Sequence, residues 1–114
     1  MLIPHSYEEL LQIKGKPLKE LGVAGSALVK GDALAAIDVL KGSQVAILGG
    51  DVLTFSGGKL SYAKANWYTN RKTNEQLNDF LARSWSESED YVKSFPDPED
   101  GSILYALVVS ELGT

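Results

Sequence analysis

Residues 44–55, QVAILGGDVLTF, constrain this chain more than any other stretch. The run is long and apolar. SGGK at 56–59 follows it as a Gly-Gly turn, and a return arm starts at Lys59. That is the pattern of a β-hairpin. Its middle, however, holds Gly49, Gly50 and Asp51, residue types that strands use least. Side chains alternate across a strand, so Asp51 shares a face with Leu53 and Phe55. A bare buried carboxylate is too costly to keep. Three placements remain: Asp51 lies near the sheet rim, or is buried with donors, or is followed by a bulge.

The other elements arrange themselves around this hairpin. Ser6 and Glu9 have capping-box spacing before a short helix over about 7–13, stopped by Gly15 and Pro17. Residues 18–29 predict one turn and then an extended piece at 26–29. KGDALAAIDVLK at 30–41 is a helix whose stripe is Ala33, Leu34, Ile37 and Leu40, with Gly42 as its stop. The return arm from Lys59 to Tyr62 extends to Trp67 and Tyr68, and 69–72 is a loop. Thr73 and Gln76 predict a second capping box, opening a helix over 74–94. Leu77, Phe80, Leu81, Ser84, Trp85, Ser88, Tyr91 and Val92 form one face of it. Arg83 with Glu87, and Glu89 with Lys93, supply i,i+4 pairs on the wet side. Pro96 ends the helix and PDPEDGS at 96–102 is an acidic loop. ILYALVVSE at 103–111 is continuously apolar and predicts a central strand.

The expectation is one α+β domain over 1–114. It has a small, mainly antiparallel sheet of three to four strands with two main helices packed on it. If 26–29 is a true strand, the order from there is βαββαβ, which admits a ferredoxin-like split βαβ.

Composition enters by exclusion. The 114 residues include no cysteine, so disulfides, thiolate metal sites and thiol nucleophiles are ruled out. A single histidine, His5, excludes histidine-rich metal sites and makes a Ser-His-Asp triad unpersuasive. Eleven basic against fifteen acidic residues, a net charge of −4, argues against sequence-independent nucleic-acid binding. The best apolar run, 103–109, is too short to span a bilayer, and Glu8 and Glu9 interrupt any signal-peptide core. No membrane partner, no cofactor and a cytoplasmic location are expected.

Few residues invite a chemical role. Gly-Gly-Asp at 49–51 matches neither a dinucleotide fingerprint nor a phosphate loop. Asp51 either accepts hydrogen bonds from loop amides or Arg71, or meets a partner, or serves catalysis with no visible second group. NWYTNRK at 66–72 gathers Trp67, Tyr68 and Arg71, types enriched in binding hot spots and also ordinary at core edges. Asp97, Glu99 and Asp100 read either as a solvated loop or as a docking patch for a basic partner.

ILGGDV at 47–52, NWY about fifteen residues later, a long helix, then PDPED before an apolar strand: this succession resembles the bacterial polymorphic-toxin immunity proteins of family forty. The likeness covers about 21–110 and includes helix 30–41, although Gly31 departs from the better helix former expected there. The resemblance implies a non-enzymatic inhibitor that binds a cognate toxin and blocks it. It also implies that Gly49 and Gly50 permit close backbone approach or a bulge, and that Asp51 organises the Trp67–Arg71 loop. Two other classes stay open: a small enzyme with a pocket at Asp51 using Tyr68 or Arg71, and an oligomerising module using a sheet edge. A monomer is favoured.

Overall fold

The computed structural model describes residues 3–111. In chain order they form α1 (His5–Lys14), β1 (Lys16–Pro17), a 3-10 turn (Lys19–Leu21), β2 (Ser26–Ala27), α2 (Lys30–Leu40), β3 (Val45–Ser56), β4 (Lys59–Tyr68), α3 (Leu77–Ser94) and β5 (Ile103–Glu111). The class is α+β, as expected, with a three-stranded antiparallel sheet and a separate two-stranded one. No helix among the described residues is long and apolar enough to cross a membrane.

The hairpin forms where Gly57 and Gly58 both take positive φ, +59° and +76°. Two such residues give the turn whose twist matches the flanking strands. The sheet order is β4-β3-β5, which corrects the expectation that residues 103–111 lie centrally. Their apolar run has a different cause. Both faces of β5 are covered over residues 104–106, and its free edge is met at one point by Leu28. Leu28 N–H donates to the Tyr105 carbonyl at 2.8 Å and Tyr105 N–H returns the bond at 2.7 Å. The predicted extended piece at 26–29 is thus half realised. β2 pairs with β1 rather than joining the main sheet, so the chain order does not become one four-stranded ferredoxin-like sheet.

Neither predicted capping box forms. Helix α1 starts earlier: Pro4 precedes it, and the Pro4 carbonyl accepts from Tyr7 N–H and Glu8 N–H, so Ser6 falls inside the first turn. Helix α3 starts later. Asn74 sits at φ +66°, outside helical geometry, and the Glu75 N–H closes a turn on the Lys72 carbonyl.

The two sheet faces are unlike. The inner face packs on α2 and α3, burying Ile37, Leu40, Ile47, Val52, Val92 and Tyr105. Burial of each such aliphatic side chain contributes about 1.5–3 kcal/mol. On the outer face Leu18 and Ala27, from the 16–27 arm, cover Leu53, Leu60, Leu104 and Ala106. Lys16 adds its ammonium over the Phe55 ring at 4.0 Å. The arm reaches only that half of the face. By alternation, Gly49, Asp51, Asn66, Tyr68 and Val108 belong to the other half.

Candidate functional site

Two bulges bracket the Gly-Gly-Asp triplet. Against β5 the register shifts between Ile47 and Gly49. Against β4 it shifts between Val52 and Leu53, where Val52 faces Ala65 and Leu53 faces Tyr62. Lys64, inside that second insertion, sits at φ +60°. The second insertion belongs to β4, and β3 itself runs regularly from Gly49 to Thr54 against β5, so the expected bulge directly after Asp51 falls on the partner strand instead.

The glycines are required by Trp67. Gly49 has φ +151°, and a Cβ there would run into the Trp67 carbonyl oxygen and lie 2.8 Å from Tyr68 Cα. A Cβ at Gly50 would collide with the Trp67 ring and lie 2.7 Å from the Ala106 carbonyl oxygen. The indole turns inward, 9% exposed, and stacks on Tyr91 with centroids 4.5 Å apart. Its Nε1–H donates to the Ser88 hydroxyl at 3.0 Å. Tyr68, the next residue, points to the opposite face and is 75% exposed. Alternation thus splits the pair: Trp67 holds the floor and Tyr68 stands in solvent.

Beyond Gly49 strand β4 has ended, and α3 replaces its hydrogen bonds. The Ser84 hydroxyl accepts from Ile47 N–H at 3.1 Å and donates to the Leu81 carbonyl. Trp85 Nε1–H donates to the Val45 carbonyl at 2.8 Å. Both Ser84 and Ser88 are fully buried. Their place on the apolar stripe of the helix was the sequence signal for this task.

Asp51 is half-buried, and its side chain makes no hydrogen bond or ion pair among the described residues. It does not organise the loop after β4. Arg83 does. Its guanidinium grips Glu75 with two bonds of 2.9 and 2.8 Å, donates to the Asn70 carbonyl at 2.6 Å, and reaches Glu87 at 3.3 Å. Thr69 adds a hydroxyl bond to Glu87 at 2.8 Å. The Arg83 hydrogen bonds, with the Lys72 N–H behind them, pull the Glu75 carboxyl down to about 2. Arg71 is exposed and spends its Nε–H on the Glu75 carbonyl at 3.1 Å. The i,i+4 spacing of Arg83 and Glu87 was legible; the stronger Glu75 partner, eight residues upstream across a turn, was not.

Gly49, Gly50, Asp51, Asn66, Tyr68 and Val108 line a shallow depression of about 270 Å³ on the uncovered half of the outer face. Asp51 and Tyr68 are its titratable residues. Asn66 stands opposite Asp51 in register, and Val108, opposite Gly49, is 48% exposed. Sequence reading missed both, because neither type announces a site.

The acidic loop lies elsewhere. Ile103 pairs with Thr54, five residues along β3 from Gly49, roughly 17 Å at the strand rise. There the Tyr105 hydroxyl donates to Asp97 at 2.8 Å, and Asp97 also accepts from Glu99 N–H. Burial, then Asp97, pushes the Tyr105 phenol up. Asp100 accepts from the Ser102 hydroxyl and N–H, which lowers its carboxyl. Lys30 binds the carbonyls of Phe95 and Lys93 at 3.0 and 3.3 Å, tying the end of α3, just before this loop, to the start of α2. Glu99 is exposed at φ +56°. The six residues singled out for partner contact therefore fall into two groups at opposite ends of the sheet: Trp67, Tyr68 and Arg71 at one, Asp97, Glu99 and Asp100 at the other. Among the described residues, no group of three or more histidines, aspartates or glutamates is placed to hold a metal ion.

The family model described as Immunity protein 40 matches residues 17–109. That interval holds both large helices and nearly all of the 16–27 arm and the main sheet. No curated protein and no solved structure matches the chain.

Proposed function

Since this chain belongs to the Immunity protein 40 family, we propose that it binds a cognate bacterial toxin and neutralises it by non-covalent occlusion. The family match over 17–109 carries the reading. In this proposal the protein acts in the cytoplasm of the producing cell, as a monomer, on a basic toxin domain. It makes and breaks no bonds. Tyr68 and Arg71 at one end of the sheet, and Asp97, Glu99 and Asp100 at the other, are the proposed contacts. Trp67 supports them from beneath rather than touching the toxin.

Rigidity suits the role. An inhibitor that keeps one shape wastes little binding energy on ordering. The loop held by Arg83 and the backbone bonds accepted by Asp97 and Asp100 hold both ends of the sheet in place. Monomeric behaviour is favoured by the β4 edge. Lys64 bulges it, and at Leu60 the edge N–H is taken by Glu20 at 3.3 Å. Bulges and inserted charges discourage edge-to-edge pairing.

The experiment is co-expression with the product of the neighbouring upstream gene. Co-purification and rescue of growth are expected. A partner that turns out to be a metabolic enzyme, with no complex and no rescue, ends the proposal. The enzyme reading would instead need turnover abolished by removing Asp51 or Tyr68, the titratable pair in the depression.

A further inference from the structure

Among the described residues, the uncovered half of the outer sheet face carries a carboxylate with no partner, in a shallow recess lined by Gly49 and Gly50. Resting on the immunity reading, we infer that this recess is the socket for a basic side chain of the toxin, with Asp51 as its counter-ion and Tyr68 as its wall.

The physical case starts with Asp51 itself. A carboxylate in mid-strand contributes nothing to the sheet and is among the types that strands least favour. Here no cation or donor among the described residues offsets it. Lys64, in the neighbouring bulge, likewise forms no ion pair with it. At the two ends of the sheet Glu75, Glu87, Asp97 and Asp100 are engaged within the chain, whereas the Glu99 carboxylate stands exposed in open solvent outside any recess. Asp51 is free for an external charge.

The shape agrees. Gly49, Gly50, Asn66, Tyr68 and Val108 line a shallow recess of about 270 Å³ around Asp51. It suits one long side chain. Tyr68, 75% exposed, and Val108, 48% exposed, offer apolar surface for its aliphatic stem. Tyrosine in such a place is also a common anchor of binding energy and an acceptor of cation–π contact. Asn66, level with Asp51 on β4, adds an amide carbonyl beside the carboxylate. A planar guanidinium could bond both, so arginine fits best. The flanking half of the face is already covered by the 16–27 arm, so an inserted toxin loop would lie against it and complete the cover.

The test is titration calorimetry of the full chain with the purified toxin domain from the neighbouring gene. It compares the natural protein, Asp51→Asn and Tyr68→Ala, each at low and high salt, with melting curves alongside. Both variants are expected to fold with unchanged melting. Asp51→Asn is expected to weaken Kd about 30-fold or more, as loss of one member of an interfacial charge pair does, and to flatten the salt dependence. Tyr68→Ala is expected to weaken Kd about tenfold or more. If Asp51→Asn binds within threefold of the natural protein, the inference is overturned and the immunity reading stands. If the natural protein does not bind the toxin domain, both fall. An Asp51→Asn protein that melts earlier would show the carboxylate serving the fold, which also overturns the inference.

Discussion

The six-membered ring of Trp67 lies so close over the backbone of Gly50 that a single methyl group on Gly50 would meet Trp67 Cζ2 at 2.7 Å. The Ala106 carbonyl closes the other side at 2.7 Å. Neither neighbour can swing away. The ring is stacked on Tyr91 and hydrogen-bonded to Ser88, and the carbonyl is part of β5. Gly50→Ala is therefore expected to destabilise the protein by about 1–3 kcal/mol through overpacking. Urea denaturation measures it, and a midpoint equal to the natural protein's would contradict the close approach.

Ser88→Ala tests the other end of the same indole. The Trp67 Nε1–H would remain in a site with no solvent and no acceptor. Leaving a buried donor unpaired costs about 1–3 kcal/mol. Ser84→Ala should cost a similar amount, since Ile47 N–H then loses its acceptor. Ser86, exposed on the same helix, is the control and should change little. Equal melting temperatures for all three alanine variants would refute this division of labour.

Much of this arrangement was readable in advance, and the failures have definite causes. The hairpin was legible because Gly57 and Gly58 mark a turn type directly. Helix α3 was legible because its stripe repeats for five turns. The position of β5 was not: an apolar run reports covered faces, and says nothing about which strand lies hydrogen-bonded on either side. The start of α3 was missed because Asn74 adopts a left-handed conformation that a capping-box pattern does not reveal. Asp51 was narrowed to three placements but no further. Deciding among them required the half of the sheet face left uncovered by the 16–27 arm, and that is a tertiary fact. The distance between the Tyr68 and Asp97 groups is likewise invisible along the chain, because strand register sets it.

Asp51→Ala follows from the same geometry, and its outcome differs from what sequence alone suggests. A carboxylate expected to anchor loop amides would cost about 1–3 kcal/mol on removal, by stranding those donors. Among the described residues there are no such donors. The change is expected to stay within about 0.5 kcal/mol, as for surface substitutions away from special features. Chemical denaturation decides it, and a loss above 1 kcal/mol would reinstate a structural role.

The clasp between Arg83 and Glu75 predicts an acid dependence. Glu75 is held at about 2, below its ordinary 4.5, chiefly by the Arg83 hydrogen bonds and then by the Lys72 N–H. A depressed carboxyl stabilises the folded state above the ordinary value. That contribution fades as pH falls from about 4.5 through 2. Carboxyl-carbon NMR should give Glu75 a midpoint near 2, returning toward 4.5 in Arg83→Ala. Amides of residues 69–76 should exchange faster in that variant at neutral pH. A Glu75 midpoint unmoved by the substitution would remove Arg83 as its cause.

Glu99→Lys isolates the second proposed contact group without disturbing the loop that carries it. Reversing Asp97 would break the bond from the Tyr105 hydroxyl, and reversing Asp100 would break the turn closed on Ser102. Glu99 is exposed, and only its backbone N–H is engaged there, so its side chain can change sign while the loop persists. If the toxin surface is basic, the substitution should act on encounter rather than on the docked contacts. Rim charges mainly alter association rates, and salt screens them. Stopped-flow mixing with the toxin domain should show association slowed severalfold at low ionic strength, with the difference closing at high salt and dissociation unchanged. Equal association rates at low salt would place the Asp97–Asp100 end outside the interface and leave docking to the Asp51–Tyr68 end alone.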